Sequence, residues 1–554
     1  MKDVWTGKGS RGQSTIEMLI ALMVLILSLT TVITVSFGSQ SISLDTQTNG
    51  EALEKARSVL EDARAAARKD FAALVSVSST DDIYRKDLLV QDAAACKKTV
   101  TSRATWKTEV LRPQIIELTS QFTDITGVFA MGGDCDLDSP TGGWTAPASF
   151  LSRDLDYHAA YGDNPSINSS AGNQATGLDV LNKMIYISAG VGAPSAKDDF
   201  FILDGSSTLS GIIPPIVGSL NTGPGLNAAD VERDNTTGQT YAYVVSNDNH
   251  SQLQVINVSN PASPALLTSS TLPNIISTCS PPSKPCLAGQ SIFYYKGRVY
   301  IGTNYIANLA LPPSNNNEFH VFCVSDPSVF GCSPSTPVWL GSANVNHNVN
   351  AIVVRDHYAY LATSDDVGEL TIVDLDHLTS PAVKFDAPGG EDGMSLYVVG
   401  NRLYLGRQQT PAARRDFYAI DITSSTAPTE LGSVNLGLHS GTEVTGIRAN
   451  GKYVFLALSD STIGFKVLDI FNLPAISFVS TFNFSQKTSG IDFESGFTYT
   501  ANASNDALRI IRPAQCADQI DDDGDGKIDS IDPQCHTDAN ANNAQSYNPE
   551  DDNE

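Results

Sequence analysis

MIYISAG (residues 184–190) returns along the chain as YAYVVSN (241–247), RVYIGTN (298–304), YAYLATS (358–364), RLYLGRQ (402–408), YVFLALS (453–459) and FTYTANA (497–503). Each copy is a short β-branched and aromatic run, the composition of a strand rather than a helix. The aligned aromatics are Tyr186, Tyr243, Tyr300, Tyr360, Tyr404, Phe455 and Tyr499, spaced 57, 57, 60, 44, 51 and 44 residues apart. Nine positions before six of them stands a small residue followed by Leu or Ile: Gly177, Ser291, Ala351, Ser395, Gly446 and Gly490. The unit of Tyr243 departs here, with an extra loop through DNTTGQT.

A second strand follows each aromatic one, as in FFILD, LQVINVSNP, LTIVDLDHL and FKVLDIFNL; then come a Pro and a third strand. Repeats of 44–60 residues with about four strands each predict blades stacked radially, every blade covering its neighbour's apolar face. The fold class is therefore mainly β, a seven-bladed β-propeller over residues 145–513, with a β-solenoid as the alternative. The last unit breaks off after LRIIRP at Pro513, before its outer strand. TAPASFLSRDL (145–155) matches TAPTELGSVNL (426–436), so the N-terminal copy is expected to complete the seventh blade and leave no open edge. The repeat region resembles LVIVD-type propeller repeats, which are found in cell-surface proteins.

At 554 residues the chain is too long for one ordinary compact domain. With 41% hydrophobic and 17% charged residues it is not disordered throughout, and a formal charge of −26 makes nucleic acid and anionic membrane surfaces poor partners. Eight cysteines fit an oxidising compartment.

Residues 18–37, MLIALMVLILSLTTVITVSF, hold no charge, proline or glycine and are long enough to cross a bilayer once as a helix. Lys2, Lys8 and Arg11 precede them against Asp3, which keeps the short end cytoplasmic. The segment RGQSTIE (11–17) puts a Gly before the apolar run and a lone acid at its lip. It resembles a type IV prepilin signal, with Gln13 where Phe or Met is usual and Thr34 where many pilins carry Pro. The resemblance implies cleavage after Gly12 by prepilin peptidase, Gln13 as the mature N-terminus, and Glu17 neutralising the terminal amine of a neighbouring pilin subunit. Leu53, Ala56, Leu60, Ala63, Ala67, Phe71 and Leu74 then recur at three- and four-residue steps, predicting a helix over 51–74 within a pilin-like segment 13–76. The polar stretch GSQSISLDTQTNG between the two parts is expected to loosen the rod. Residues 77–144 read as a small pilin-like β region holding Cys96 and Cys135.

DDDGDGKIDSID (521–532) carries the sharpest chemical motif. As a twelve-residue loop it places Asp521, Asp523, Asp525, Asp529 and Asp532 at positions 1, 3, 5, 9 and 12, the Lys527 carbonyl at 7, Gly526 at the sharp turn and apolar Ile528 at 8. This is the EF-hand spacing, in which Ca²⁺ collects six to eight oxygens. Asp at position 12 has a shorter reach than Glu, which predicts affinity of roughly 10⁻⁴–10⁻³ M. The loop is similar to those of dockerins and thrombospondin type 3 repeats. Cys516 and Cys535 bracket it, and the remaining cysteines pair most simply by proximity as Cys323–Cys332, Cys279–Cys286 and Cys96–Cys135. Residues 514–536 form the calcium segment, and 537–554 read as a disordered acidic tail.

No His pair at metal spacing, GxSxG, phosphate loop or dinucleotide motif is present, so the chain reads as a non-enzyme. Asp374, Asp421 and Asp469 recur at one place in successive units, as a turn device would. The whole reads as a minor or tip pilin-like subunit, inserted in the membrane by one pass and then carried to the cell surface or extracellular pilus, where the propeller binds an unknown surface ligand. A type II secretion pseudopilin with cargo on its propeller is one alternative. A surface-anchored propeller enzyme of lactonase or quinoprotein type is the other.

Overall fold

The computed structural model describes residues 13–551, apart from segments 124–142, 155–173, 191–197, 207–211, 247–250, 274–287, 307–316, 410–413 and 519–526 and a few shorter breaks. The chain divides into two compact units, Met1–Gly127 and Val128–Glu554.

The first unit is one helix and one sheet. Helix α1 (Gln13–Lys69) runs for 57 residues without interruption. The expected loosening at GSQSISLDTQTNG does not occur; that stretch lacks proline, and the roughly 1 kcal/mol each for Gly38 and Gly50 is carried by the turns on either side. The helix also ends at Lys69, short of the expected residue 74 or 76. Strands β1 (Val77–Asp81), β2 (Tyr84–Ala94), β3 (Lys97–Glu109) and β4 (Arg112–Thr123) form an antiparallel meander in that order. Ala52, Ala56, Leu60 and Ala63 of α1 bury against Tyr84, Leu88, Val100, Ala104, Trp106 and Phe122. The small alanines allow a close approach, and the buried Ser102 hydroxyl donates to the Ala56 carbonyl at 2.8 Å.

The second unit holds seven four-stranded antiparallel sheets among the described residues. Sheet 1 begins at Gln174–Leu181, sheet 2 at Leu226–Arg233, sheet 3 at Gly289–Tyr295, sheet 4 at Val349–Arg355, sheet 5 at Gly393–Val399, sheet 6 at Val444–Asn450 and sheet 7 at Thr488–Glu494. The aromatic strand is second in every sheet, and its aromatic is buried each time. First strands touch the first strands of both neighbours, sheet 7 touching sheet 1, so they form the inner ring of a propeller-like circle. Sheet 7 takes its fourth strand, Ala148–Asp154, from the other end of the repeat region, paired antiparallel with Asp506–Arg512. The unit starts before residue 145: Trp144 is fully buried among Phe455, Phe465 and Phe493.

The recurring third-strand acids are turn devices. Asp374, Asp421 and Asp469, with Asp204 and Asn257 at the same place, each accept the backbone N–H two residues on at 2.8–2.9 Å.

Candidate functional site

The inner ring is built on one backbone device. Every first strand carries a β-bulge at its start, at Thr176, Asn227, Gln290, Asn350, Met394, Thr445 and Ser489. A bulge ends regular pairing and turns the local backbone outward. Here it frees a carbonyl for the preceding sheet. Thr176 donates to the Leu226 carbonyl, Asn227 to Gly289, Ser291 to Val349, Asn350 to Gly393, Ser395 to Val444, Thr445 to Thr488 and Ser489 to Ala175, all at 2.6–2.8 Å. The circuit is complete. It also bears on the small residue noted in the repeat: a Cβ built on Gly446 would come within 2.7 Å of Ile491 in the next sheet, and one on Gly177 within 3.0 Å of Ser188 in its own sheet.

Three residues past each bulge, the ring position opposite the aromatic divides in two. Sheets 6, 7, 1 and 2 present Arg448, Asp492, Asp179 and Asp230; sheets 3, 4 and 5 present Phe293, Val353 and Tyr397. On the polar arc each carboxylate reaches the next sheet's inner strand. Asp492 accepts from Val180 N–H at 2.7 Å, Asp179 from Val231 N–H at 2.6 Å and Asp230 from Tyr294 N–H at 2.7 Å. Arg448 Nε donates to Asp492 Oδ1 at 2.7 Å, and its guanidinium lies 5.3 Å from the centre of the Tyr397 ring. Burial, and then the neighbouring Asp492 and Asp230, hold the Asp179 carboxyl well above the usual range. Burial likewise pushes Asp230 up to about 7.

A second charged cluster lies where the second strand of sheet 5 ends. Arg407 is fully buried and pairs with Glu369 and Glu391, both at 2.7 Å, while donating to the Tyr418 hydroxyl at 3.2 Å. Glu369 belongs to a repeated set. With Asp199, Glu318 and Asp416 it opens a third strand and accepts N–H groups from the loop leading to the next sheet. Burial pushes Glu318 and Glu369 up to about 7 and Asp199 and Asp416 up to about 6.

Of the residues singled out by sequence, Gln13 opens α1, Glu17 is exposed on it, and Gly12 lies outside the described residues. Ile16–Phe37 is long and apolar enough to serve as a membrane anchor or signal, with none of it buried. In the loop motif Asp521, Asp523 and Asp525 lie outside the described residues, whereas Lys527, Asp529 and Asp532 lie within them. Asp529 opens a helical turn, Asp529–Ile531. Asp532 is fully buried; its Oδ1 accepts Gln534 N–H at 2.6 Å and its Oδ2 has no hydrogen-bond partner among the described residues. A buried carboxylate oxygen without a hydrogen-bond partner is costly. Among the described residues no group of three or more His, Cys, Asp or Glu is placed to hold a metal. Cys323–Cys332 and Cys516–Cys535 are disulfides, as expected in an oxidising environment; Cys96, Cys135, Cys279 and Cys286 lie outside the described residues. Residues 537–551 are not a disordered tail. Tyr547 donates to the Cys516 carbonyl, Thr537 N–H to Ser546 at 2.8 Å and Asn548 N–H to Cys535 at 2.9 Å.

Sequence reading missed the polar arc. Its signal was two residues past each small residue, where Asp179, Arg448 and Asp492 stand beside Phe293, Val353 and Tyr397.

Among curated proteins none matches this chain. Similar solved structures include BamB from Moraxella catarrhalis, at 11% identity over 61% of this chain and 83% of that one, with a TM-score of 0.34. A quinonprotein alcohol dehydrogenase-like protein from Bacteroides thetaiotaomicron is 14% identical over 70% and 82%, TM-score 0.37. The β-propeller domain of Cps50 (Swd1) from Myceliophteria thermophila is 9% identical over 61% and 96%, TM-score 0.41. Residues 239–271 and 348–387 match the LVIVD repeat. The second match spans all four strands of sheet 4 and the first the outer three of sheet 2, so repeat and sheet coincide, and the large unit is a repeat propeller.

Proposed function

We propose that this chain is a type IV pilin-like subunit, processed after Gly12 and placed as a minor or tip subunit, that displays a seven-bladed propeller outside the cell for adhesion or partner binding. The observation that carries the reading is α1: one unbroken helix whose apolar first part is exposed and whose last part packs on a small four-stranded meander. The hydroxyls inside the apolar part suit a bilayer, because Thr31 and Thr34 donate to the carbonyls four residues back at 2.7 Å. A unit of some 400 residues would crowd a thin filament if every subunit carried it, which favours a minor or tip position. N-terminal sequencing of the surface form is the test. A start at Gln13 is expected; a start at Met1, or far beyond Gln13, sinks the pilin reading.

Ca²⁺ is proposed for residues 521–532, held by Asp521, Asp523, Asp525, Asp529, Asp532 and the Lys527 carbonyl. The bare Oδ2 of buried Asp532 supports it. Titration calorimetry should give heat with Ca²⁺ below several millimolar, abolished by Asp525→Ala; silence there leaves only an acidic segment.

The polar arc is the one observation that favours an enzyme, since carboxyls raised toward neutrality by burial and like charge are common at catalytic centres. Lactone turnover lost in Asp179→Asn would move the reading to that class.

A further inference from the structure

We infer that residues 514–518, tied down by Cys535, Tyr547 and Asp551, are a clasp that replaces the missing hairpin loop of sheet 7 and holds the ring closed. In sheets 1 to 6 the third strand leads directly along the chain to the fourth, as between Phe417–Asp421 and Thr429–Val434. Such a connection keeps a strand beside its partner even when the pairing opens. Sheet 7 is the one described sheet assembled from both ends of the repeat region. Its third strand ends at Arg512, its fourth begins at Ala148, and the two residues face each other across the seam. With no loop to hold it, this pairing should fray first.

The C-terminal segment grips both sides of that seam. On one side Arg512 Nη1 pairs with Asp518 at 3.0 Å, the two side chains only 6% and 2% exposed. On the other, Gly143 N–H donates to the Ala517 carbonyl at 2.7 Å. The next residue, Trp144, inserts its ring 4.7 Å from that of Phe455. A few residues from Arg512 to Asp518 therefore span the gap a hairpin loop would cover.

The grip is itself tied. Cys516 and Cys535 are bonded and fully buried, Cys516 N–H donates to the Asp551 carbonyl at 3.1 Å, and the Tyr547 hydroxyl donates to the Cys516 carbonyl. Loosening any of these frees the five residues that bridge the seam. The clasp stands apart from the surface role proposed above, so neither depends on the other.

Native-state hydrogen exchange on the full chain tests it, reading sheet 7 against sheets 3 and 4. Asp518→Asn, which keeps the shape and removes the charge, should speed exchange at 148–154 and 506–512 at least tenfold and leave sheets 3 and 4 unchanged. Cys516→Ser with Cys535→Ser should do the same. Unchanged exchange at the seam, or equal acceleration in all seven sheets, overturns the clasp. Should both variants fail to fold, the unaltered chain still decides. The amides of Gly143 and residues 148–154 should open together, and opening of 148–154 while Gly143 stays protected refutes the assignment.

Discussion

Sheets 6, 7, 1 and 2 and sheets 3, 4 and 5 share one backbone and differ in what they place on the inner ring. Both arcs keep the bulge, the bond to the next sheet and the buried aromatic. At the position three past the bulge, one arc carries Arg448, Asp492, Asp179 and Asp230, and the other carries Phe293, Val353 and Tyr397. The repeat thus separates what closes the circle from what can vary within it. Charge in the apolar arc lies instead at the strand ends, in the Arg407–Glu369–Glu391 cluster.

The largest effect should come from breaking the polar arc. Asp492→Ala removes the acceptor of Val180 N–H and the hydrogen-bonded partner of half-buried Arg448, which keeps only the Ile447 carbonyl, the Tyr397 ring and the nearby Asp179, and should cost about 2–3 kcal/mol. Val353→Ala in the other arc should cost only about 1 kcal/mol. Urea midpoints at equal m-value give both; similar costs would mean the arcs do not differ energetically. Next is pH. Asp230, Glu318 and Glu369 are pushed up to about 7 by burial, against about 4 for exposed carboxyls. The folded state therefore binds protons more readily than the unfolded one. The stability these groups add is fully present below about pH 4 and is lost as pH rises through about 7. Asp460, held at about 2, opposes this only below pH 4. Melting should be higher at pH 5 than at pH 8, and Asp230→Asn should shrink the difference; a melting point that climbs from pH 5 to 8 contradicts the assignment. The smallest effect is the one shared by both arcs. Thr445→Val and Ser291→Ala each remove one ring bond and should cost about 0.5–1.5 kcal/mol whichever arc they lie in.

The repeat, its aromatics and the incomplete last unit were legible because burying a strand between two sheets demands the same residue types each time. The ring bonds were not, since Thr176, Asn227, Ser291 and Ser489 share only a donor, and the bulge that aims it is a matter of backbone register. The polar stretch of α1 reads as a break by its side chains, yet it holds no proline and the helix runs through it. The C-terminal residues misled for a related reason. Asn, Asp and Ser suggest disorder by composition, yet Asn540, Asn543 and Asn548 each accept a backbone N–H two residues on, and Tyr547 anchors the result.

The seam also sets a timetable. The strand Ala148–Asp154 is made first, and its partner Asp506–Arg512 follows some 350 residues later. At ~5–20 residues per second the early strand waits roughly 20–70 s for a mate. During that interval six sheets can form by hairpins while one strand stays unsatisfied, a template for pairing with another nascent chain. Biogenesis of the ring therefore has a vulnerable segment at a known place, and a holding factor that covers residues 144–154 until Arg512 arrives is expected to raise the yield.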